Sequence, residues 1–210
     1  MAQAFSLCSR GSAMIAIFDY GAGNLRSVAN TLEEIGAAYT LVRDADGLRQ
    51  ASKIVLPGVG HFGQMMRALD QLEVRGTLLD RIDVGVPFLG ICLGLQALLE
   101  GSEEAPEVRG LARYTGTVTR FPAGARVPHM GWNEVEPRGR CRLLDGLAPN
   151  SYLYFAHSYY VPVIPVTAAT CTYTTPYTAV LEAGNVFGVQ FHPEKSGPLG
   201  LAIMKNFVDL

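Results

Sequence analysis

The sequence predicts a single α/β domain built on a central mixed, mostly parallel sheet flanked by helices, with an antiparallel portion in the second half. In the first half, short apolar runs alternate with segments of helical periodicity. Near-continuous apolar runs are typical of parallel strands that are buried on both faces. In the second half, strand candidates follow one another closely between turn residues, which favours antiparallel pairing.

Local patterns predict the individual elements. Apolar residues at helical spacing predict a first helix, with Asn24 as its N-cap and Gly36 as its stop. Further helices are predicted at 62–72, 93–99 and 199–210. Strands are predicted at 14–18, 39–42, 54–56, 86–91, 117–121, 133–136, 152–160, 168–173, 178–182 and 186–191.

Length and composition narrow the class of protein. A chain of 210 residues with 49% apolar and 17% charged residues can form one substantial core. We expect residues 14–210 to form this domain and residues 1–13, which lack periodicity, to be a disordered extension. A net charge of −2 without a basic run argues against nucleic-acid binding.

Cysteine usage indicates a reducing compartment. Cys8, Cys92, Cys141 and Cys171 are scattered and form no CxxC pair, so neither a disulfide framework nor a zinc site is expected. The sequence contains no apolar stretch of about 18 residues and no clear secretory signal. The expectation is a cytoplasmic protein that does not bind membranes.

The run from Gly90 to Gly94 is the most informative stretch of the sequence. Cys92 lies between a predicted strand and a predicted helix, with a glycine two residues away on each side. This GxCxG pattern is typical of a nucleophile elbow, a turn so sharp that only glycine avoids a clash at the flanking positions. A helix start also favours a thiolate. The alternative is an inert core thiol, because free cysteine is often buried.

The second informative run is His192-Pro193-Glu194, which follows an apolar strand. Proline favours an extended conformation at His192, and residues two apart in an extended segment project the same way. Glu194 could therefore orient the imidazole, leaving its other nitrogen for the thiol. A structural histidine and an exposed glutamate are the alternatives.

A glycine-rich loop, Pro57 to Gly60, follows the third strand. In elbow enzymes, one oxyanion donor is the amide after the nucleophile, here Leu93, and another comes from a loop after an earlier strand. Val59 and Gly60 are the candidates for that second donor, although an ordinary strand-to-helix turn would have the same sequence.

Two further runs have less specific patterns. The run from Asp19 to Asn24 suggests dinucleotide binding, but Arg26 occupies the position of the third glycine, so an anion site or a partner-facing loop is favoured. The run from Pro128 to Asn133 and the tyrosines of 152–160 are typical of a half-buried aromatic strand, and they would also suit a protein interface.

With these residues in view, the chain resembles the class I (triad) glutamine amidotransferases over residues 14–210. The elbow from Gly90 to Gln96 and the run from Gln190 to Ser196 mark that class. The runs 19–24, 57–60, 128–133 and 155–159 resemble those of the glutaminase subunits of imidazole glycerol phosphate synthase, an enzyme of histidine biosynthesis. The resemblance implies a flavodoxin-like fold.

The resemblance also implies a reaction. Cys92 would attack the side-chain amide of glutamine and form a glutamyl thioester, while His192, oriented by Glu194, shuttles protons. Ammonia and then glutamate would leave, without a metal or cofactor. The residues expected to bind glutamine are Gly58, Gln96, Ser158 and Tyr159.

A partner is implied as well. The family couples the glutaminase, as a heterodimer, to a TIM-barrel cyclase subunit that uses the ammonia to make imidazole glycerol phosphate and aminoimidazole carboxamide ribotide. Asn24, Trp132, Tyr154 and Lys195 are expected to face that subunit. Because glycines make a peptide flip inexpensive, we hypothesise that the oxyanion donor is misaligned until the partner binds its own ligand.

Three alternatives remain at this stage. The chain could serve another amidotransferase, for example in pyridoxal phosphate or anthranilate synthesis. It could be a stand-alone cysteine hydrolase of the DJ-1/PfpI-like kind, although that class does not take its base from a C-terminal His-Pro-Glu run. It could also be a binding module in which Cys92 is inert.

Overall fold

The computed structural model describes residues 14–210, so the extension predicted at 1–13 lies outside the described residues. The strands are β1 (Ile15–Phe18), β2 (Tyr39–Val42), β3 (Lys53–Gly58), β4 (Phe88–Cys92), β5 (Leu99–Ser102), β6 (Tyr114–Arg120), β7 (His129–Pro137), β8 (Ser151–His157), β9 (Tyr159–Tyr160), β10 (Thr167–Thr172), β11 (Pro176–Ala183) and β12 (Val186–Val189). The helices are α1 (Leu25–Glu34), α2 (Ala45–Gln50), α3 (Phe62–Gln71), α4 (Arg75–Asp83), α5 (Leu93–Gln96) and α6 (Gly197–Val208).

A nine-stranded mixed sheet organises the chain, with the strand order β2-β1-β3-β4-β12-β11-β10-β7-β8. The first five strands in this order are mutually parallel, and the last four continue the sheet in antiparallel pairs. A separate small sheet has the order β5-β6-β9. The predicted fold class, with a parallel first half and an antiparallel second half, is confirmed.

Hydrophobic cores lie on both faces of the parallel strands. Alternate residues of β1 supply them: Ile15 and Ile17 belong to one core cluster, while Ala16 and Phe18 belong to the other. Because both faces are covered, β1 is apolar and buried at every position rather than at alternate positions. This explains why near-continuous apolar runs marked the parallel strands in the sequence.

The structure differs from the predicted elements in several places. Strand β5 was not predicted, and the strand predicted at 152–160 is divided at Ser158 into β8 and β9. The helix predicted at 93–99 ends at Gln96, because the carbonyls of Ala97 and Leu98 accept hydrogen bonds from the segment 111–114 and the chain continues as β5. Helices α2 and α4 were not predicted. In α2 only Leu48 is buried, so the sequence contains no helical periodicity there.

The start of α1 is confirmed, although its cap differs from the usual arrangement. The helix begins directly after Asn24, as predicted. The Asn24 side chain accepts a hydrogen bond from the Ser27 hydroxyl at 2.8 Å instead of from a backbone amide. Among residues 14–210, no helix is both long and apolar enough to cross a membrane.

Close packing at α5 gives the first testable prediction. A Cβ at Gly94 would overlap the Leu56 carbonyl of β3, so we expect Gly94→Ala to lower the free energy of unfolding by about 3 kcal/mol. Gly76 is a matched control, because it lies in α4 with no atom near the position of its missing Cβ. We expect Gly76→Ala to raise stability by about 1 kcal/mol. Denaturant unfolding measures both changes, and equal effects would contradict this account.

Candidate active site

Cys92 lies at a strained corner between β4 and α5. Its backbone has φ 53° and ψ −104°, a left-handed conformation that is rare for a residue with a side chain. A Cβ at Gly90 would overlap the backbone of Gly94. The structure therefore has the geometry of the predicted nucleophile elbow. Because α5 is a single turn, its dipole is a weaker source of thiolate stabilisation than a long helix would be.

His192 and Glu194 lie beside each other just beyond β12. The distance between His192 Nδ1 and Glu194 Oε1 is 2.8 Å, and both side chains are almost fully buried. His192 is extended, as predicted, but residues 193–195 form a 3₁₀ turn. The pairing is therefore made across a turn rather than along an extended segment.

The sheet brings this pair to Cys92. Strands β4 and β12 are parallel neighbours, with Ile91 opposite Val189. The residues that follow them therefore leave the sheet side by side at its carboxyl end. Burial acts to lower the pKa of His192, but the charge and hydrogen bond of Cys92, followed by those of Glu194, raise it to about 10. The raised pKa means that the His192 ring is protonated and positively charged near neutral pH.

The Tyr20 hydroxyl holds the loop after β3. It donates to the Val59 carbonyl at 3.1 Å and accepts from the Val59 amide at 3.2 Å. The Val59 N–H is therefore not free to serve as an oxyanion donor in this conformation. Among residues 14–210, the Gly60 amide has no acceptor, and Gly60 and Leu93 both line the same cavity as Cys92.

This cavity has a volume of about 190 Å³. Its walls include Cys92 and three of the four residues predicted to bind glutamine: Gln96, Ser158 and Tyr159. The fourth, Gly58, is buried under the elbow, where a Cβ would lie 2.7 Å from the Leu93 side chain. Its role in the structure is to let the elbow pack closely, so a direct contact with glutamine is not supported.

A buried histidine that sequence reasoning did not assign to the site supports the Tyr159 wall. His157 Nδ1 lies 2.8 Å from the Tyr159 carbonyl, to which it can only donate. Burial lowers the pKa of His157 to about 3, so the ring is neutral. Its other nitrogen lies 3.3 Å from both His129 and the Tyr177 hydroxyl. His157 thus fixes the edge of the cavity instead of titrating.

Three of the four predicted interface residues form one patch. Trp132 and Tyr154 are opposite each other on β7 and β8, with ring centroids 6.1 Å apart, and Lys195 Nζ lies 5.7 Å from the Tyr154 ring centroid. Met130, which lies in the run from Pro128 to Asn133, extends the patch on the same face of β7. Asn24 lies at the start of α1.

Hydrogen bonds join this patch to the segment that contains His192 and Glu194. The His192 amide donates to the Tyr154 carbonyl at 2.8 Å, and the Tyr154 amide donates to Ser196 Oγ at 3.0 Å. The Ser196 hydroxyl in turn donates to the His192 carbonyl at 2.7 Å. Ser196 was not predicted, and its only signal in the sequence is its place in the run that contains His192.

Comparisons with known proteins agree with this geometry. Residues 16–210 match the family model "Glutamine amidotransferase class-I". The chain belongs to the class I glutamine amidotransferase family and is an enzyme of that class. Over most of its length it is similar to curated proteins named imidazole glycerol phosphate synthase subunit HisH.

Two of these relatives illustrate the similarity. The protein from Deinococcus radiodurans is 48% identical, with 94% of each chain covered. The protein from Methanothermobacter thermautotrophicus is 50% identical, with 94% of this chain and 98% of the relative covered. Among solved structures, one titled "Structure of PurLQS from Thermotoga maritima" matches with a TM-score of 0.75 at 18% identity, covering 95% of this chain and 99% of that one, which supports the fold alone.

The second prediction concerns the titration of His192. Because Cys92 contributes most to raising its pKa, we expect Cys92→Ala to lower that pKa from about 10. A pKa raised in the folded state adds stability that is present below pH 6.5 and is lost as the pH rises through about 10. NMR titration of labelled histidines measures this, with His157 as an internal control that stays neutral above pH 5. An unchanged His192 titration in Cys92→Ala would contradict the pairing.

Proposed function

We propose that this chain is the glutaminase subunit of imidazole glycerol phosphate synthase and that Cys92, His192 and Glu194 form its catalytic triad. The observation that carries the proposal is the elbow thiol, which lies in the wall of a cavity and beside a buried His–Glu pair. The similarity to HisH subunits over the whole domain supports the choice of synthase. The proposed reaction uses only side chains and backbone amides of this chain.

The Cys92 sulfur attacks the amide carbon of the glutamine side chain, and the carbonyl π electrons move to the oxygen. The Leu93 amide, with one from the Val59–Gly60 loop, stabilises that oxyanion. His192 then donates its proton to the departing nitrogen, so ammonia leaves and a thioester remains. Water attacks the thioester while His192 accepts a proton, and glutamate is released.

The first test of this function is ammonia release from glutamine. We expect the chain in complex with its cyclase subunit to release ammonia and Cys92→Ala to lose at least about 10⁴-fold in rate, because no other group in the triad can form the thioester. Coupled glutamate detection measures the rate. Cys171→Ala is the matched control, because Cys171 is a free buried cysteine that does not line the cavity. Ammonia release that survives in Cys92→Ala would refute the assignment.

The Tyr20 contact supports the hypothesis of a misaligned oxyanion donor. Its hydroxyl holds both polar backbone groups of Val59, so the Val59 amide points to Tyr20 rather than to a bound substrate. We infer that binding of the cyclase and its ligand reorients this peptide and releases the amide toward the oxyanion. Activity would then be low in the isolated chain and high in the loaded complex.

Removal of the hydroxyl tests this idea. We expect Tyr20→Phe to raise the rate of ammonia release by the isolated chain about tenfold. This is part of the roughly 10²–10³-fold effect on kcat of one oxyanion donor. The rate of ammonia release by the loaded complex should be nearly the same in Tyr20→Phe as in the wild type. Tyr39→Phe is the control, because its hydroxyl is bonded to Glu33 on the surface. A lower rate in isolated Tyr20→Phe would show that the contact supports activity instead of restraining it.

The patch of Met130, Trp132, Tyr154 and Lys195 is our proposed contact with the TIM-barrel cyclase. It combines exposed apolar area with an aromatic pair, as binding hot spots do, and it adjoins the catalytic segment through Tyr154. Free ammonia would be protonated in water, so a partner docked beside the site is physically sensible. The free thiols at Cys92, Cys141 and Cys171 suit a reducing compartment, and we infer a cytoplasmic location.

A matched pair of surface substitutions tests the interface. Trp132 is 55% exposed on β7, and Leu41 is 52% exposed on β2, near the opposite edge of the sheet. We expect Trp132→Ala to weaken cyclase binding at least about 30-fold, as a central aromatic does, and Leu41→Ala to leave it unchanged. Calorimetric titration with the cyclase measures both. A larger effect at Leu41 would move the interface to the other edge.

A further inference from the structure

Gln190 is a buried polar side chain for which the mechanism above has no role. It follows β12 directly and has no exposed surface. Its Nε2 lies 3.5 Å from the Cys92 sulfur, and its Oε1 accepts a hydrogen bond from Gln96 Nε2 at 3.1 Å. A carboxamide is costly to bury unless both of its ends are bonded, so this contact with the nucleophile calls for an explanation.

A chain of hydrogen bonds fixes which end of Gln190 faces the sulfur. The Tyr159 carbonyl can only accept, so the end of Gln96 that lies 2.9 Å from it is the amide nitrogen. That same nitrogen then donates to Gln190, whose oxygen must face Gln96. The remaining end of Gln190, its NH₂ group, is therefore the end that points at Cys92.

We propose that Gln190 is a catalytic residue that donates an uncharged hydrogen bond to the Cys92 sulfur and stabilises it as a thiolate. This inference rests on the proposed glutaminase function and adds a fourth residue to the triad. The donor acts at two points of the cycle: it favours the thiolate before attack, and it stabilises the sulfur again when the thioester breaks.

Gln190 neither gives up nor gains a proton during the reaction. When the sulfur attacks, one of its lone pairs becomes the S–C bond, and when water attacks the thioester carbon, the S–C bond breaks and its electron pair returns to the sulfur as glutamate forms. Gln190 keeps its N–H throughout, because an amide is neither an acid nor a base near neutral pH. It therefore stabilises negative charge on sulfur without competing with His192 for the proton.

Gln190 contacts the sulfur but does not line the cavity, so its proposed role differs from binding of the substrate. The cavity walls include Cys92 and Gln96 but not Gln190, which contacts the sulfur without lining the cavity. A residue in this position should affect reactions of the sulfur while the affinity for glutamine stays the same. The two effects can be measured independently.

The test uses the full chain in complex with its cyclase and the substitution Gln190→Met, which keeps the length of the side chain but removes both the donor to the sulfur and the acceptor for Gln96. Alkylation in the absence of glutamine therefore reports the effect on the sulfur alone. We expect the pH profile of Cys92 alkylation by iodoacetamide, read by peptide mapping, to move up by about one pH unit. We expect kcat for ammonia release to fall about 10- to 100-fold while KM stays within about threefold. Gln71→Met is the matched control, because Gln71 is exposed at the end of α3.

A second substitution provides the test if Gln190→Met does not fold, as judged by circular dichroism. Gln190→Glu has the same shape and can still accept from Gln96, but its carboxylate repels a thiolate, so the alkylation profile should move further than in Gln190→Met. An unshifted profile in a folded variant would overturn the proposal, and so would a rise in KM without that shift. Alkylation needs no glutamine, so a failure of the glutaminase function itself would be seen separately, as wild-type complex that alkylates normally but releases no ammonia.

Discussion

The close approach of α5 to the end of β3 is the constraint on which the rest of the site depends. Gly94 lies directly on the Leu56 carbonyl, and Gly58 lies under the Leu93 side chain, so neither position has room for a Cβ. This packing forces the chain to reverse within one residue, and Cys92 adopts φ 53° as a result. The thiol is thereby raised from a buried strand into the wall of a cavity. Strain at one residue is balanced by the packing of a large two-sided core.

A partner bound to the exposed aromatic patch would act on the site through Tyr154. Tyr154 is the junction: its ring belongs to the exposed aromatic patch, while its backbone is bonded to His192 and Ser196. In the loop after β3, Tyr20 holds the Val59 peptide, and Val59 lines the cavity. A cyclase docked on the patch would therefore contact a strand that is hydrogen-bonded to the segment of the proposed triad. Differential binding to two positions of the Val59 peptide would be enough to switch activity, without a large movement of the domain.

Much of this site could be predicted from the sequence, for identifiable reasons. Glycines at 90 and 94 and the run from His192 to Glu194 are local signals, and their meaning depends only on backbone sterics and strand direction. The short α5 could not be predicted in the same way, because it ends where Ala97 and Leu98 pair with a segment more than ten residues further along. The same holds for Gln190 and His157, whose partners come from other strands and from the elbow. Local patterns specify elements, while buried polar networks depend on tertiary contacts.

The central claim is that the Cys92 sulfur is the atom that reacts with glutamine. Treatment of the cyclase complex with a glutamine-derived diazo ketone, followed by peptide mass spectrometry, tests this claim most directly. The account predicts one adduct per chain, located on Cys92, together with complete loss of ammonia release and protection by excess glutamine. Modification of Cys141 or Cys171 instead, or inactivation without an adduct on Cys92, would contradict it.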